Sequence, residues 1–381
     1  MLRLQNQGRS NLFGAALVLK FNFLNDYFTE ILKMTTCHKN DGFQTEMNPM
    51  NTNDYTQINQ TEQPAKPTSS QFYRLISIVI LLLLLGVCVW VYYPGPPKND
   101  TLIVELNKAA DQGNAEAQRR LGSMHYFGNG IPKNYAQAAE WYQKAADQGN
   151  AEAQMRLGIM YCYGQGMMQS YAQAAEWYQK AANQGNTEAQ MRLGFMHQEG
   201  HGMPQSYAQA AEWYQKAANQ GNAEAQSRLG FMHHEGHGVP QSYAQAAEWF
   251  QKAANQGNAE AQFFLGTLYF IGKGVPENNT LAVEWNQKAA EQGVPRAQLF
   301  LGLMYYEFYD EVRVSQDFTH ALNWFRKAAD QGNSIAQYYL GLMYYNGQGV
   351  AVNHQEAAQW LEKAADQGHT TAKEMLKWSF K

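Results

Sequence analysis

From Ala109 to the C-terminus the sequence repeats itself every 36 residues, and that periodicity constrains the fold more than any other feature. The first unit reads AADQGNAEAQRRLGSMHYFGNGIPKNYAQAAEWYQK, Ala109 to Lys144. Further units begin at Ala145, Ala181, Ala217, Ala253, Ala289 and Ala328. The sixth carries three extra residues around Tyr306–Ser315, and a partial unit from Ala364 closes the chain. So short a unit cannot bury an apolar face alone, whereas stacked neighbours can. The repeats therefore form one elongated domain rather than two or three globular ones.

Each unit reads as two helices. The first is expected from about Asn114, a good N-cap, to Tyr126, with Ala117, Leu121 and Met124 on one face. Gly122 falls inside this helix, where glycine costs about 1 kcal/mol relative to alanine. It returns as Gly158, Gly194, Gly230, Gly266, Gly302 and Gly341, which implies a helix approach too close for a side chain. The second helix is expected from Tyr135 to about Gln148, with Tyr135, Ala138, Ala139, Tyr142, Ala145 and Ala146 in one stripe. Gly149 stops it and Asn150 caps the next helix, so consecutive helices must run antiparallel. The expected fold is all-α: an α/α solenoid, a right-handed superhelix of about seven helix-pair repeats over 101–381.

Segments such as AEAQMRLGIMYCYGQG followed by YAQAAEWYQKAANQG resemble the Sel1-like repeat, a relative of the tetratricopeptide repeat. The resemblance runs from about Thr101 to the C-terminus. It implies an adaptor or scaffold that binds other proteins or peptides. Some cysteine-rich members carry a disulfide in each repeat and bind penicillin-like compounds. This chain has only Cys37, Cys88 and Cys162, so that activity does not carry over.

Ahead of the repeats, Leu75 to Tyr93 reads LISIVILLLLLGVCVWVYY, 19 residues without a charge. That length suffices to cross a bilayer as a helix, and Phe72, Tyr73, Trp90, Tyr92 and Tyr93 fall where interfacial aromatics belong. A transmembrane helix is expected over 73–93, followed by a proline-rich linker over 94–100. A cleaved signal peptide is the competing reading; the long apolar core and the lack of an A-x-A-like site weigh against it. Residues 47–72 are polar and aperiodic, and are expected to be disordered. Residues 1–46 form an extension whose apolar stretch, Leu12–Leu32, is broken by Lys20, Asp26 and Glu30. Either it lies on a membrane surface or translation begins at Met34 or Met47. Arg74 borders the span and tips the orientation towards a cytoplasmic N-terminus, with the repeats extracytoplasmic.

Stacking turns repeat positions into columns. Trp141, Trp177, Trp213, Trp249, Trp285, Trp324 and Trp360 form one, expected to fill the seam between helices. A second runs Arg120, Arg156, Arg192, Arg228, Phe264, Phe300, Tyr339. The first helix lines the concave face of tetratricopeptide-like stacks, so this column reads as a partner-binding groove with a basic and an aromatic half. The competing reading is local: Glu116, Glu152, Glu188 and Glu224 lie four residues before the arginines and pair with them. Glu140/Lys144 through Glu284/Lys288 read as a solvated helix face.

His197, His201, His233, His234 and His237 fall in two adjacent repeats. His197 and His233 occupy the column that holds Tyr161, Tyr269, Tyr305 and Tyr344, and His201 and His237 sit in G-x-G loops, so metal binding is not expected. No cofactor is expected, since the chain shows no P-loop, nucleophile elbow or H-E-x-x-H. A net charge of -4 and a pI near 6.2 argue against a nucleic-acid surface. The reading is therefore a non-enzymatic scaffold. Its alternatives are a protein that binds or processes cell-wall glycan or peptide, and a secreted repeat effector.

Overall fold

The computed structural model describes residues 99–306 and 317–379. Among them it contains sixteen α-helices and no strand. They are α1 Asn99–Asp111, α2 Ala115–Phe127, α3 Tyr135–Asp147, α4 Ala151–Tyr163, α5 Tyr171–Asn183, α6 Thr187–Glu199, α7 Tyr207–Asn219 and α8 Ala223–Glu235. Then follow α9 Tyr243–Asn255, α10 Ala259–Ile271, α11 Asn279–Glu291, α12 Pro295–Tyr306, α13 Phe318–Asp330, α14 Ser334–Asn346, α15 His354–Asp366 and α16 Thr370–Ser379. Even-numbered helices are the first of each pair and odd-numbered ones the second. Among the described residues, the first helix of the stack, α1, is a second helix and the last, α16, is a first helix.

The punctuation follows the sequence closely. The Asn114 side chain accepts a hydrogen bond from the Ala117 amide, and Asn150, Asn186, Asn222, Asn258 and Asn333 repeat this cap. Where the column carries Val294 instead, Pro295 follows at the first helical position, supplying a preset φ and having no amide to satisfy. Second helices end in a Schellman turn: the Gly149 amide donates to Ala146 and the Asn150 amide to Ala145, with Gly149 at φ 88°.

Sequence-adjacent helices pack against each other throughout. Helices two apart also touch, and these are first helices: α8 with α10 and α12 with α14. The core is a chain of clusters, each bridging two repeats. Ala138, Tyr142 and Ala145 of α3 pack with Ala153, Leu157 and Met160 of α4, and Trp177 of the following second helix closes that cluster. Trp213 enters the next cluster with Met155, Ile159 and Tyr178, so the tryptophans do fill the seam between repeats.

The mid-helix glycines are explained by the second helix. A Cβ on Gly122 would lie 2.7 Å from the Tyr142 ring, and one on Gly194 2.7 Å from Tyr214. Gly158 faces Tyr178, Gly230 faces Phe250, Gly266 faces Asn286, Gly302 faces Phe325 and Gly341 faces Leu361 in the same way. In α16 the column carries Lys377, and no second helix follows within the described residues.

Some expectations lie elsewhere. The extension over 1–46, the polar segment over 47–72, the span over 73–93 and the inserted residues of the sixth unit fall outside the described residues. Among the described residues, no helix is long and apolar enough to cross a membrane. Helix α1 begins at Asn99, so the linker expected over 94–100 ends two residues early.

Gly194→Ala is expected to destabilise the solenoid by roughly 1–3 kcal/mol, because overpacking against Tyr214 outweighs the gain in helix propensity. Urea denaturation followed by circular dichroism reads this directly. Tyr214→Ala in the same chain should remove most of the added penalty.

Candidate functional site

The arginine column sits on the first helices, and its local pairs form. The Arg120 and Arg156 Nε atoms each donate to the carboxylate four residues earlier at 2.9 Å, Arg228 does so at 2.8 Å, and Arg192 uses a terminal nitrogen at 2.7 Å. Arg119 joins at the N-terminal end, donating to Glu116 at 2.7 Å. These two guanidiniums, Arg119 foremost, hold the Glu116 carboxyl down at about 2.

Exposure falls along the column. The Arg120 side chain is 61% exposed, whereas Arg156, Arg192 and Arg228 are half-buried. Tyr142, Tyr178 and Tyr214 of the preceding second helices interact electrostatically with Arg156, Arg192 and Arg228. Burial pushes the Tyr142 hydroxyl up to about 12 and raises those of Tyr178 and Tyr214 as well. Each of these rings thus has a glycine of its own pair on one side and an arginine of the next pair on the other.

The aromatic half has a different environment. Phe264 is only 8% exposed and stacks on Phe250 with centroids 5.3 Å apart. Phe300 is 2% exposed and meets the Phe270 ring edge-on at 5.2 Å. Tyr339 stacks on Phe325 at 5.0 Å and keeps part of its surface exposed. Phe264 and Phe300 are therefore packing residues and present little surface to a partner. At Phe264 the second helix carries Phe250 rather than a tyrosine, and the two apolar rings stack.

Two recurring features had gone unread. The first is a ladder of glutamines. Gln118 donates to the Ala110 carbonyl at 2.9 Å and accepts from Gln148 at 2.7 Å. The pattern repeats at Gln154/Gln184, Gln190/Gln220, Gln226/Gln256, Gln262/Gln292, Gln298/Gln331 and Gln337/Gln367. It ties the end of each second helix to the helix after it. The signal was the unbroken glutamine of AEAQ and of the A-A-x-Q-G turn. The second is lysine on tryptophan. On the solvated face of Lys144 through Lys288, each lysine nitrogen lies over the Trp ring three residues earlier, at 3.6 to 4.1 Å through Lys363.

The histidines serve packing. His201 stacks on Tyr171 and His237 on Tyr207, each across a repeat boundary. His197 and His233 are buried in the column of Tyr161 and Tyr269. Among the described residues, no three histidine, cysteine or carboxylate side chains converge as a metal set. Burial lowers the imidazole of His197, with Glu212 opposing slightly, and burial likewise lowers His125. Cys162 is a free thiol beside Tyr178, raised by burial.

Glycine-received helix pairs stacked one on the next define a repeat solenoid. The Sel1 repeat matches this chain seven times, over residues 115–150, 151–186, 187–222, 223–258, 259–294, 295–333 and 334–369. The chain belongs to the Sel1 repeat family. It is similar to a protective antigen of uropathogenic Escherichia coli strains, described as displaying an SLR fold. That match has 39% identity and a TM-score of 0.67, and covers 71% of this chain but 57% of the antigen's length. It is also similar to a Sel1 repeat protein from Oxalobacter formigenes, with 32% identity, a TM-score of 0.60, and 85% and 97% of the two chains covered. A search of curated protein sequences finds no match. Sel1 repeat proteins generally mediate protein–protein interactions, and the fold is typically a non-catalytic scaffold.

Replacing Gln190 with leucine is expected to cost about 1–3 kcal/mol, since the Ala182 carbonyl and the Gln220 amide both lose a buried partner. The denaturation midpoint measures it. The lowered His197 imidazole favours the unfolded chain once it is protonated, so its contribution holds above the ordinary value of 6.5 and is lost as pH falls below it. His197→Tyr should therefore reduce the stability difference between about pH 7.5 and about pH 5.5, a range bracketing the ordinary imidazole value.

Proposed function

We propose that the protein is a non-catalytic interaction scaffold presented from a membrane by a single-pass anchor at residues 75–93. The N-terminus lies in the cytoplasm and the repeats on the extracytoplasmic, periplasmic side. The observation that carries the scaffold reading is the run of first helices bearing Arg120, Arg156, Arg192 and Arg228. Their guanidiniums are oriented by glutamates, and they retain exposed surface. A guanidinium fork held in place in this way binds a carboxylate with little further loss of side-chain freedom. Contacts between neighbouring first helices support an inner face built from them. Tyr339 extends the column, while Phe264 and Phe300 stiffen it from below. The partners are proteins or peptides carrying exposed carboxylates. The anchor reading rests on the uncharged 19-residue run and its aromatic borders.

Photo-crosslinkers placed at Arg156 and Arg192 in membrane-bound protein should capture defined partners. The double change Arg156→Glu and Arg192→Glu should reduce capture of those same partners while leaving the helical signal intact. Capture of none by the folded, membrane-bound chain would sink the scaffold reading. A reporter fused after Lys381 and active only outside the cytoplasm should be on; activity only in the cytoplasm would reverse the orientation.

A further inference from the structure

Helix α1 differs from every other second helix. Leu102 stands where Ala138, Ala174, Ala210 and Ala246 stand, each fully buried against its own first helix, yet Leu102 is 57% exposed. Val104 stands where the other second helices place Glu140, Glu176, Glu212 and Glu248, and it is 66% exposed. Large apolar side chains have thus replaced a small one and a charged one on two different sides of one helix.

A second observation concerns the loop beside it. In later repeats the second glycine of the G-x-G turn lies against the backbone that opens the preceding second helix: Gly166 on Tyr135, Gly202 on Tyr171, Gly238 on Tyr207, Gly274 on Tyr243 and Gly349 on Phe318. At Gly130 a Cβ would lie 3.5 Å from the tip of Met124 and 3.6 Å from the tip of Ile103. Beside them is a hollow lined by Leu102, Ile103, Met124, Asn129 and Gly130.

The chain itself indicates what meets this end. The apolar run ends at Tyr93, and α1 begins at Asn99. The five residues between are Pro-Gly-Pro-Pro-Lys, and the steps from Tyr93 to Asn99 reach at most about 21 Å when extended. The headgroup layer on one side of a bilayer is about 5–8 Å deep, so the start of α1 is tethered close to it. Its charged residues, Asp100, Glu105, Lys108 and Asp111, are on balance acidic, which favours a zwitterionic surface over an anionic one.

We infer that α1 is a membrane-seating helix: Leu102, Val104 and the hollow beside them rest in the interfacial layer of a zwitterionic bilayer and seat the first end of the solenoid on it. The inference depends on the anchor reading above. The test uses the full chain in phosphatidylcholine vesicles, with the native cysteines replaced by serine. Spin labels sit at Leu102→Cys and Val104→Cys, and at Glu212→Cys on α7 as a solvent-exposed reference. Both α1 sites are already exposed, so labelling spares the fold. The expected result is a loss of contact with an aqueous nickel reagent and a gain of contact with oxygen at both α1 sites relative to Glu212. Retention of the chain through an alkaline carbonate wash, combined with nickel contact equal to that at Glu212, would overturn the seating inference alone. Protection from both reagents would also overturn it, and would assign the face to another segment of the protein. Release of the chain by carbonate would overturn the anchor and the seating together.

Discussion

A ring laid on bare helix backbone is the contact on which the rest of the solenoid depends. Each first helix gives up a side chain at its glycine, at about 1 kcal/mol of helix propensity, to receive a residue of its second helix. That residue is then fully buried, as Tyr142, Tyr178, Tyr214, Phe250 and Phe325 are. The short distance between the two axes allows the alanine stripe of the second helix to pack against the next pair. Larger side chains along that stripe would hold the helices apart and leave the ring without contacts on one side.

The same ring links packing to function. Its outer side meets the next first helix, so its chemistry decides what can stand there. Tyrosines coincide with Arg156, Arg192 and Arg228, whereas Phe250 and Phe325 coincide with Phe264 and Tyr339. What looks along the sequence like a gradient of binding chemistry is thus partly a gradient of core chemistry read from the outside. The arginines retain exposed surface, and the glutamate four residues before each one orients it.

The periodicity, the caps and the stopping glycines were legible because each is a local rule: one residue, one backbone conformation, one hydrogen bond. Gly122 could be read as a close approach, although the identity of the approaching Tyr142 could not, since it lies twenty positions away across a loop. The burial of Phe264 and Phe300 escaped for the same reason. Placing a position on the first helix does not reveal which side of that helix the preceding repeat covers. The glutamine ladder went unread because a polar residue inside a helix suggests solvent, and only the fold shows that Gln118 joins two helix ends. Lys144 was legible as part of a solvated face, but not its seat on the Trp141 ring, which offers a surface to its ammonium and its alkyl stem.

Among the described residues the stack has unlike ends. At its last helix, an exposed Lys377 stands where the other first helices carry the glycine that receives a residue of the second helix, and Lys373 stands where they carry the glutamine of the ladder. A second helix packed there would find neither a seat for its ring nor an acceptor for its turn. The near-identical repeats over 145–252 lie inside the stack, so copying them adds helix pairs without changing the residues of α1 or α16.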